Sequence, residues 1–454
     1  MDNRAKIDTA GESVTVTTPT PAHDGLLGFA HRFTSWLRDP SWLTVQRVTF
    51  YSGVMLLAYL AVAIAQFYHS HHLILESGAL IGGDFVNPYA ASITALKGDP
   101  ASVYDFHYRQ HLHEVALMGG QDRGGSFMYP PMYLLIVLPL SMLPFIASWI
   151  VFETVTLAGY LAVLRRIAPI PVGLWLAITF PGVIINFTCG QNGFLTTALI
   201  GGGLLLLDRW PLLAGFLLGL MAYKPQFAIL IPLALIVARR WRALIATAIS
   251  AILFAAASLA VFGAPTWRAF VGSIAITQKI VLELGAINFS TLQSIFGAIR
   301  MWGGSVDVAY VFQAVVAIYA ASAVVWVWQT SRPFALKAAT LAVGSLMVSP
   351  YVLQYDLVLL ALPIAWLAME GFEKGFLPYE KAVLSVAWIL PRVSLPVSQS
   401  AKIPIAPIVI IALMTAILRR ASHREPAGLQ QQALHLSHFE TPAPLVPPGL
   451  GQSS

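Results

Sequence analysis

Five polar strings interrupt an otherwise apolar chain: GGDFVNPYAA around Asp84, SFMYPPMY around Tyr129, CGQNG around Gln191 and Asn192, AYKPQ around Lys224, and SPYVLQYD with Gln354, Tyr355 and Asp356. Asp84 follows Gly82 and Gly83, which permit close backbone approach. A carboxylate there is placed to act as a general base on a hydroxyl. It suits equally the N-cap of a helix over Phe85–Leu96, since Asp is a favoured cap. Lys224 precedes the helix-breaking Pro225; it can hold a phosphate as a point charge or snorkel to lipid headgroups. Gln191 and Asn192 can hydrogen-bond sugar hydroxyls or simply cap and turn. Asp356 lies in an apolar run and needs a partner, Lys224 or an outer arginine. Tyr89, Tyr104, Tyr129 and Tyr351 can stack on sugar or prenyl units, or form the interfacial belt of a membrane protein.

Other chemistries find less support. His107 and His111 stand at i, i+4 with His113 and Glu114 close behind, a spacing that can hold zinc, but no HExxH string accompanies them. No metal is expected. The one cysteine, Cys189, allows no intramolecular disulfide. P-loop, GxGxxG and GxSxG strings are absent, which leaves ATP, dinucleotide and hydrolase readings unsupported, and no cofactor is expected.

The elements that must position these residues belong to a membrane. Of 454 residues, 57% are hydrophobic and 11% charged, against about 25% charged in a soluble domain. Lipid must cover what charge would otherwise cover. The net charge of +6 is spread over short clusters beside apolar runs, which reads as membrane anchoring and not as a nucleic-acid surface. The expected fold is an all-α polytopic bundle of about twelve transmembrane helices. Its spans fall near Val48–Tyr68, within 132–164, then Val172–Phe187, Phe194–Leu207, Leu212–Ala222, Phe227–Ala238, Ala243–Phe262, Val308–Trp328, Leu336–Val348, Leu357–Ala368, Ala382–Val397 and Ile405–Leu418. The stretch 132–164 predicts a short dipping helix up to Pro144 and a full span after it.

Residues 1–47 form an expected cytoplasmic tail ending in an interfacial helix, 48–420 the membrane domain, and 421–454 a Pro-, Gln- and Ser-rich disordered tail. The basic pairs Arg165/Arg166, Arg239/Arg240 and Arg419/Arg420 belong to the cytoplasmic side by the positive-inside rule, which places both termini there. The loop 69–131, long enough to suggest function, then falls outside, as do all five polar strings. Dispersed strings that meet at one face suggest a single site.

These strings, in register over about residues 48–370, resemble the polytopic glycosyltransferases of family 87. The quoted residues are GGDFVNPYAASITALKGDPASVYD, MYPPMYLLIVLPLSMLP, GQNGFLTTALIGGGLLLLDRWPLLAGFLLGLMAYKPQ, RRWRAL and SPYVLQYDLVLLALP. The resemblance implies a GT-C fold in a bacterial inner membrane. It implies an inverting hexosyltransferase, with a polyprenyl-phosphate sugar, mannose first, as donor and a lipid or glycan as acceptor. It maps the family's first-loop aspartate onto Asp84, its Gly-Gln pair onto Gly190 and Gln191, and its Lys-Pro pair onto Lys224 and Pro225. Many relatives carry histidine near the Ser-Pro string, where this chain has Gln354, Tyr355 and Asp356; sugar and acceptor are therefore open. The rival reading is a transporter or flippase of a lipid-linked sugar or small solute, which would favour internal repeats and charges near the midplane.

Overall fold

The apolar stretches become helices, and prolines set where many of them begin, because a proline at the first helical position forfeits no hydrogen bond. The structure is a computed structural model and describes residues 32, 34–38, 41–70, 74–75, 80–105 and 127–423. The expected interfacial helix, the histidine cluster at 107–114 and the C-terminal tail beyond 423 lie wholly or largely outside the described residues. In chain order the principal helices are α1 (Val45–Tyr68), α2 (Val86–Leu96), α3 (Pro131–Val137), α4 (Phe145–Ile167), α5 (Pro171–Thr179), α6 (Pro181–Cys189), α7 (Gly193–Leu206) and α8 (Pro211–Leu220). They continue with α9 (Pro225–Ala228), α10 (Leu230–Val237), α11 (Trp241–Gln278), α12 (Ile295–Met301), α13 (Val306–Gln329), α14 (Phe334–Val348), α15 (Ala361–Lys374), α16 (Glu380–Ala401) and α17 (Ile405–Ser422). Among the described residues, extended pairing is limited to the single bridge between Ile74 and Leu80.

Among the described residues, seven helices are long and apolar enough to cross a membrane, and α5 with α6, bent by 41°, adds an eighth if the pair is one span. The expectation of about twelve spans is not reached by length. Apolar stretches such as α7 and α14 fold into helices of 14 and 15 residues. At 1.5 Å per residue these run about 21–23 Å, short of a hydrocarbon core of about 30 Å. Most of α14 is buried in protein, so its hydropathy reflects a protein interior as much as lipid. The stretch 132–164 does divide as expected: α3 and a 3-10 turn end at Met142, and α4 begins after Pro144.

Small residues set the closest helix contact. Gly215 and Gly219 of α8, four residues apart, press on Ala243, Ala246 and Ser250 of α11, where an added Cβ would meet neighbours at 2.5 Å. Without a hydrophobic drive between helices in lipid, such small-residue seams let backbones pack directly. This seam fixes α8, whose end carries Lys224. Near Gly263, at φ 77°, α11 kinks, and Pro265 follows. The segment beyond the kink leans over the site with Phe270, Ile274 and Gln278. At the opposite end of the bundle, Arg420 makes a buried bidentate pair with Glu380 and also donates to the carbonyls of Glu370 and Gly375. Arg420 and Glu380 answer each other, so the pair is a structural clasp.

Candidate active site

Two glycine-bearing turns lock together to present Asp84. Gly82, Gly83 and Gly190 all have positive φ, at 88°, 51° and 62°, a region open to glycine without steric cost. A Cβ on Gly83 would lie 2.6 Å from the carbonyl oxygen of Cys189, and Gly190 fits equally tightly against Gly82 and Phe85. Glycines at these turns thus bring two segments 107 residues apart into backbone contact. Asp84 sits in the 3-10 turn Gly83–Phe85, directly ahead of α2. Its Oδ2 accepts a hydrogen bond from Gln191 Nε2 at 2.8 Å, and its side chain is exposed to the cavity.

Gln191 is itself held on three sides. Its Oε1 accepts from the Tyr129 hydroxyl at 3.2 Å, and its backbone carbonyl accepts from Asn186 Nδ2 at 2.9 Å. The same Nδ2 donates to Glu153 Oε2 at 3.1 Å, while Asn186 Oδ1 accepts from the Gly193 amide at 2.8 Å. Glu153 and Asn186 are both fully buried. They form a brace under the Gly190–Gly193 turn, so the chain Glu153, Asn186, Gln191, Asp84 is continuous. Sequence reasoning passed over both residues. The signal was there: Glu153 is the one acidic residue in the apolar stretch 145–164, and such a residue needs a reason.

Lys224 and Asp356 meet 2.6 Å apart, with side chains 2% and 1% exposed. The partner that Asp356 required is therefore Lys224. Lys224 Nζ also donates to Asn192 Oδ1 at 2.9 Å and lies over the rings of Phe227 and Tyr355, at 5.0 and 5.3 Å. Asp356 Oδ2 accepts from the Leu353 amide. Snorkelling to headgroups is thereby replaced by a buried, fully oriented ammonium.

Both assemblies border one cavity of about 780 Å3. Of the residues singled out from sequence, Asp84, Tyr129, Gln191, Lys224, Gln354 and Tyr355 line it. Asn192 and Asp356 stand directly behind Lys224 as its hydrogen-bond partners. Gln354 points its Nε2 to the Pro391 carbonyl of α16 at 2.6 Å, tying that helix to the wall. One wall is a tyrosine ladder, with Tyr129 to Tyr133 at 4.5 Å and Tyr133 to Tyr223 at 5.2 Å between ring centres. Burial pushes the Tyr129 hydroxyl well above its usual range, so it stays a hydrogen-bond donor. The Tyr351 hydroxyl is raised by burial and then by the negative charges of Asp356 and Asp84, which places both carboxylates within electrostatic reach of one ring. Tyr89 and Tyr104 have other duties: their hydroxyls donate to the carbonyls of Leu143 and Tyr129. Gln278 and Tyr310, bonded at 2.9 Å, complete the far rim and were not foreseen.

The arrangement offers a carboxylate at the rim, a paired ammonium at the floor and amide and phenol groups between them. That set can take a proton from a hydroxyl, receive negative charge and hydrogen-bond a polyol. No group of three or more metal-ligating side chains occurs among the described residues. Comparison with curated proteins and with solved structures gave no match. Residues 127–350, about half of the chain, match the model of glycosyltransferase family 87. The match contains Tyr129, Gln191, Asn192 and Lys224; Asp84 and the 354–356 string lie beyond its ends. The chain thus carries a glycosyltransferase family 87 domain, which implies a membrane glycosyltransferase.

Proposed function

We propose that this protein transfers a hexose, mannose first among the choices, from a polyprenyl-phosphate donor to a lipid or glycan acceptor at the outer face of a bacterial inner membrane, with inversion. The single observation that carries this reading is the meeting of Asp84 and Lys224, from distant segments, on one cavity beside the bilayer. A polyprenyl leaving group is anchored in lipid, so its reacting carbon must be met by a site embedded among membrane helices. With α5 and α6 as one span the count is eight, an even number that agrees with both termini in the cytoplasm, as the basic pairs indicate.

The reaction follows from the groups on the walls. The acceptor hydroxyl oxygen attacks the anomeric carbon from the face opposite the phosphate, and the new C–O bond forms as the bond to the phosphate oxygen breaks. Asp84 takes the hydroxyl proton as attack proceeds. Gln191 holds Oδ2, so the carboxylate enters the reaction already oriented. The polyprenyl phosphate departs with an added negative charge. Lys224 uses two of its three N–H donors on Asp356 and Asn192 among the described residues, which leaves a third for that charge. Gln354, Tyr355 and Asn192 form the polar floor against which the sugar is read, and Tyr129 contributes a ring face and the hold on Gln191.

A carrier would need a path reaching both faces in turn. The cavity residues come from helix ends on one side of the bundle, such as Tyr133, Tyr310 and Leu395, which supports transfer over transport. The test is sugar transfer by the purified protein in liposomes holding labelled polyprenyl-phosphate mannose and a membrane-lipid extract. Label in a new lipid or glycan product supports the reading. Label that crosses the bilayer unchanged would move it to the carrier class.

A further inference from the structure

Arg392 sits inside α16, nine residues short of its end at Ala401, so about 14 Å below that end. An arginine at such depth in a span is expensive and calls for a partner. Arg392 is exposed, and no carboxylate among the described residues pairs with it. Its neighbour is an aromatic ring: the guanidinium carbon lies 5.9 Å from the centre of Tyr59. Tyr59 is likewise nine residues short of the end of α1 at Tyr68, so the two side chains meet at one depth.

Helix α1 leaves this place open. It is fastened by its first half, where Trp175 Nε1 donates to the Thr49 carbonyl and the Ser52 hydroxyl. Only 6% of its apolar window is buried in protein. Its outer half is therefore largely free of protein contact and leaves a crevice on the flank of α16 at the Tyr59–Arg392 contact. The crevice adjoins the cavity. Gln354, on the cavity wall, is bonded to Pro391, the residue before Arg392, and Leu395, three residues on, lines the cavity itself.

We propose that this crevice captures a polyprenyl monophosphate from the bilayer, with its phosphate on Arg392 beside the Tyr59 ring, as the lateral access to the cavity. The inference rests on the polyprenyl-phosphate reading above. Arg392 has no carboxylate partner among the described residues, and beyond its interaction with Tyr59 its guanidinium keeps donors in a fork that matches a phosphate; a water-poor setting strengthens each bond. A lipid occupant fits because the exposed side chains of α1 around Tyr59, with Leu57, Leu60 and Val62 among them, are apolar.

The test measures equilibrium binding of decaprenyl monophosphate to the full chain in phosphatidylcholine nanodiscs, for wild type, Arg392→Gln and Arg392→Lys. Decaprenol and phosphatidylglycerol serve as competitors. The expected result is a loss of about tenfold or more for Arg392→Gln, a smaller loss for Arg392→Lys, and no competition from decaprenol. Equal binding by wild type and Arg392→Gln would overturn the capture site while leaving the donor reading intact. No binding by wild type would overturn both. Competition by phosphatidylglycerol at matched concentration would make the crevice a general anionic-lipid site and defeat the proposal. Should Arg392→Gln fail to fold, photolabelling of wild type with a diazirine-bearing polyprenyl phosphate decides. Label in α1 and α16 near Tyr59 and Arg392 supports capture; label confined to other helices refutes it.

Discussion

Replacing Asp356 by Asn strands a buried ammonium, and the cost can be worked from the geometry. Lys224 and Asp356 are 2.6 Å apart with almost no exposure. Removing one member of such a pair leaves an uncompensated charge, a loss of about 3–5 kcal/mol. Lys224→Met should cost a similar amount, since Asp356 keeps only the Leu353 amide. The double variant Lys224→Met with Asp356→Leu removes both charges and fills the volume, which by itself is near neutral. It still orphans Asn192 Oδ1 and the Leu353 N–H, at about 1–3 kcal/mol each. The double variant should therefore fall well short of the sum of the singles, with a coupling of about 3 kcal/mol. Chemical unfolding in a mild detergent reads the stabilities, and sugar transfer reads function in parallel. Stability of the double variant should lie near that of either single variant, not at their sum, while transfer stays lost. Additive stabilities would refute the pairing, and transfer retained by the double variant would refute the role of Lys224 at the leaving phosphate.

Three further outcomes follow from the same contacts. Gly83→Ala places a Cβ 2.6 Å from the Cys189 carbonyl oxygen, where ordinary contact begins at 3.4 Å, so the turn must open by 0.8 Å; transfer should drop about a hundredfold with donor binding little changed, and an active Gly83→Ala enzyme would contradict the interlock. Glu153→Leu removes the acceptor for Asn186 and should reduce both stability, by about 1–3 kcal/mol, and the maximal rate. Glu153→Gln keeps an acceptor there and should restore most of the rate, so equal behaviour of the two variants in transfer assays would argue against the brace. The hydroxyls of Tyr104, Tyr129 and Tyr351 are raised by burial. A raised acid favours folding in its neutral form, so stability from these groups holds below about pH 10 and declines above it; unfolding scans at stepped alkaline pH check the sign, and rising stability there would refute it.

Composition and spacing made the membrane class and the meeting of the five polar strings legible. A carboxylate in an apolar run demands a cation, and the demand on Asp356 led to Lys224, 132 residues away in the chain. The split of 132–164 was legible because Pro144 cannot continue a helix from its first turn. The span count was not. Hydropathy responds alike to lipid and to protein interior, and α14, largely apolar, is packed inside the bundle. Nor did pattern alone reveal that Gln191 orients Asp84, because glutamine in a turn has the same local signature whether it caps, binds ligand or braces a neighbour. The Glu153–Asn186 brace was hidden by attention to the outer loops, although a lone acid in an apolar helix was visible.

The most direct test of the account is sugar transfer by Asp84→Asn beside wild type, in liposomes with labelled polyprenyl-phosphate mannose, at matched protein and with donor binding measured separately. Asn preserves the size of the side chain and can still face Gln191 after its amide turns. The account predicts donor binding close to wild type and no detectable transfer. Transfer at the wild-type rate would contradict Asp84 as the base and remove the centre of the proposed mechanism.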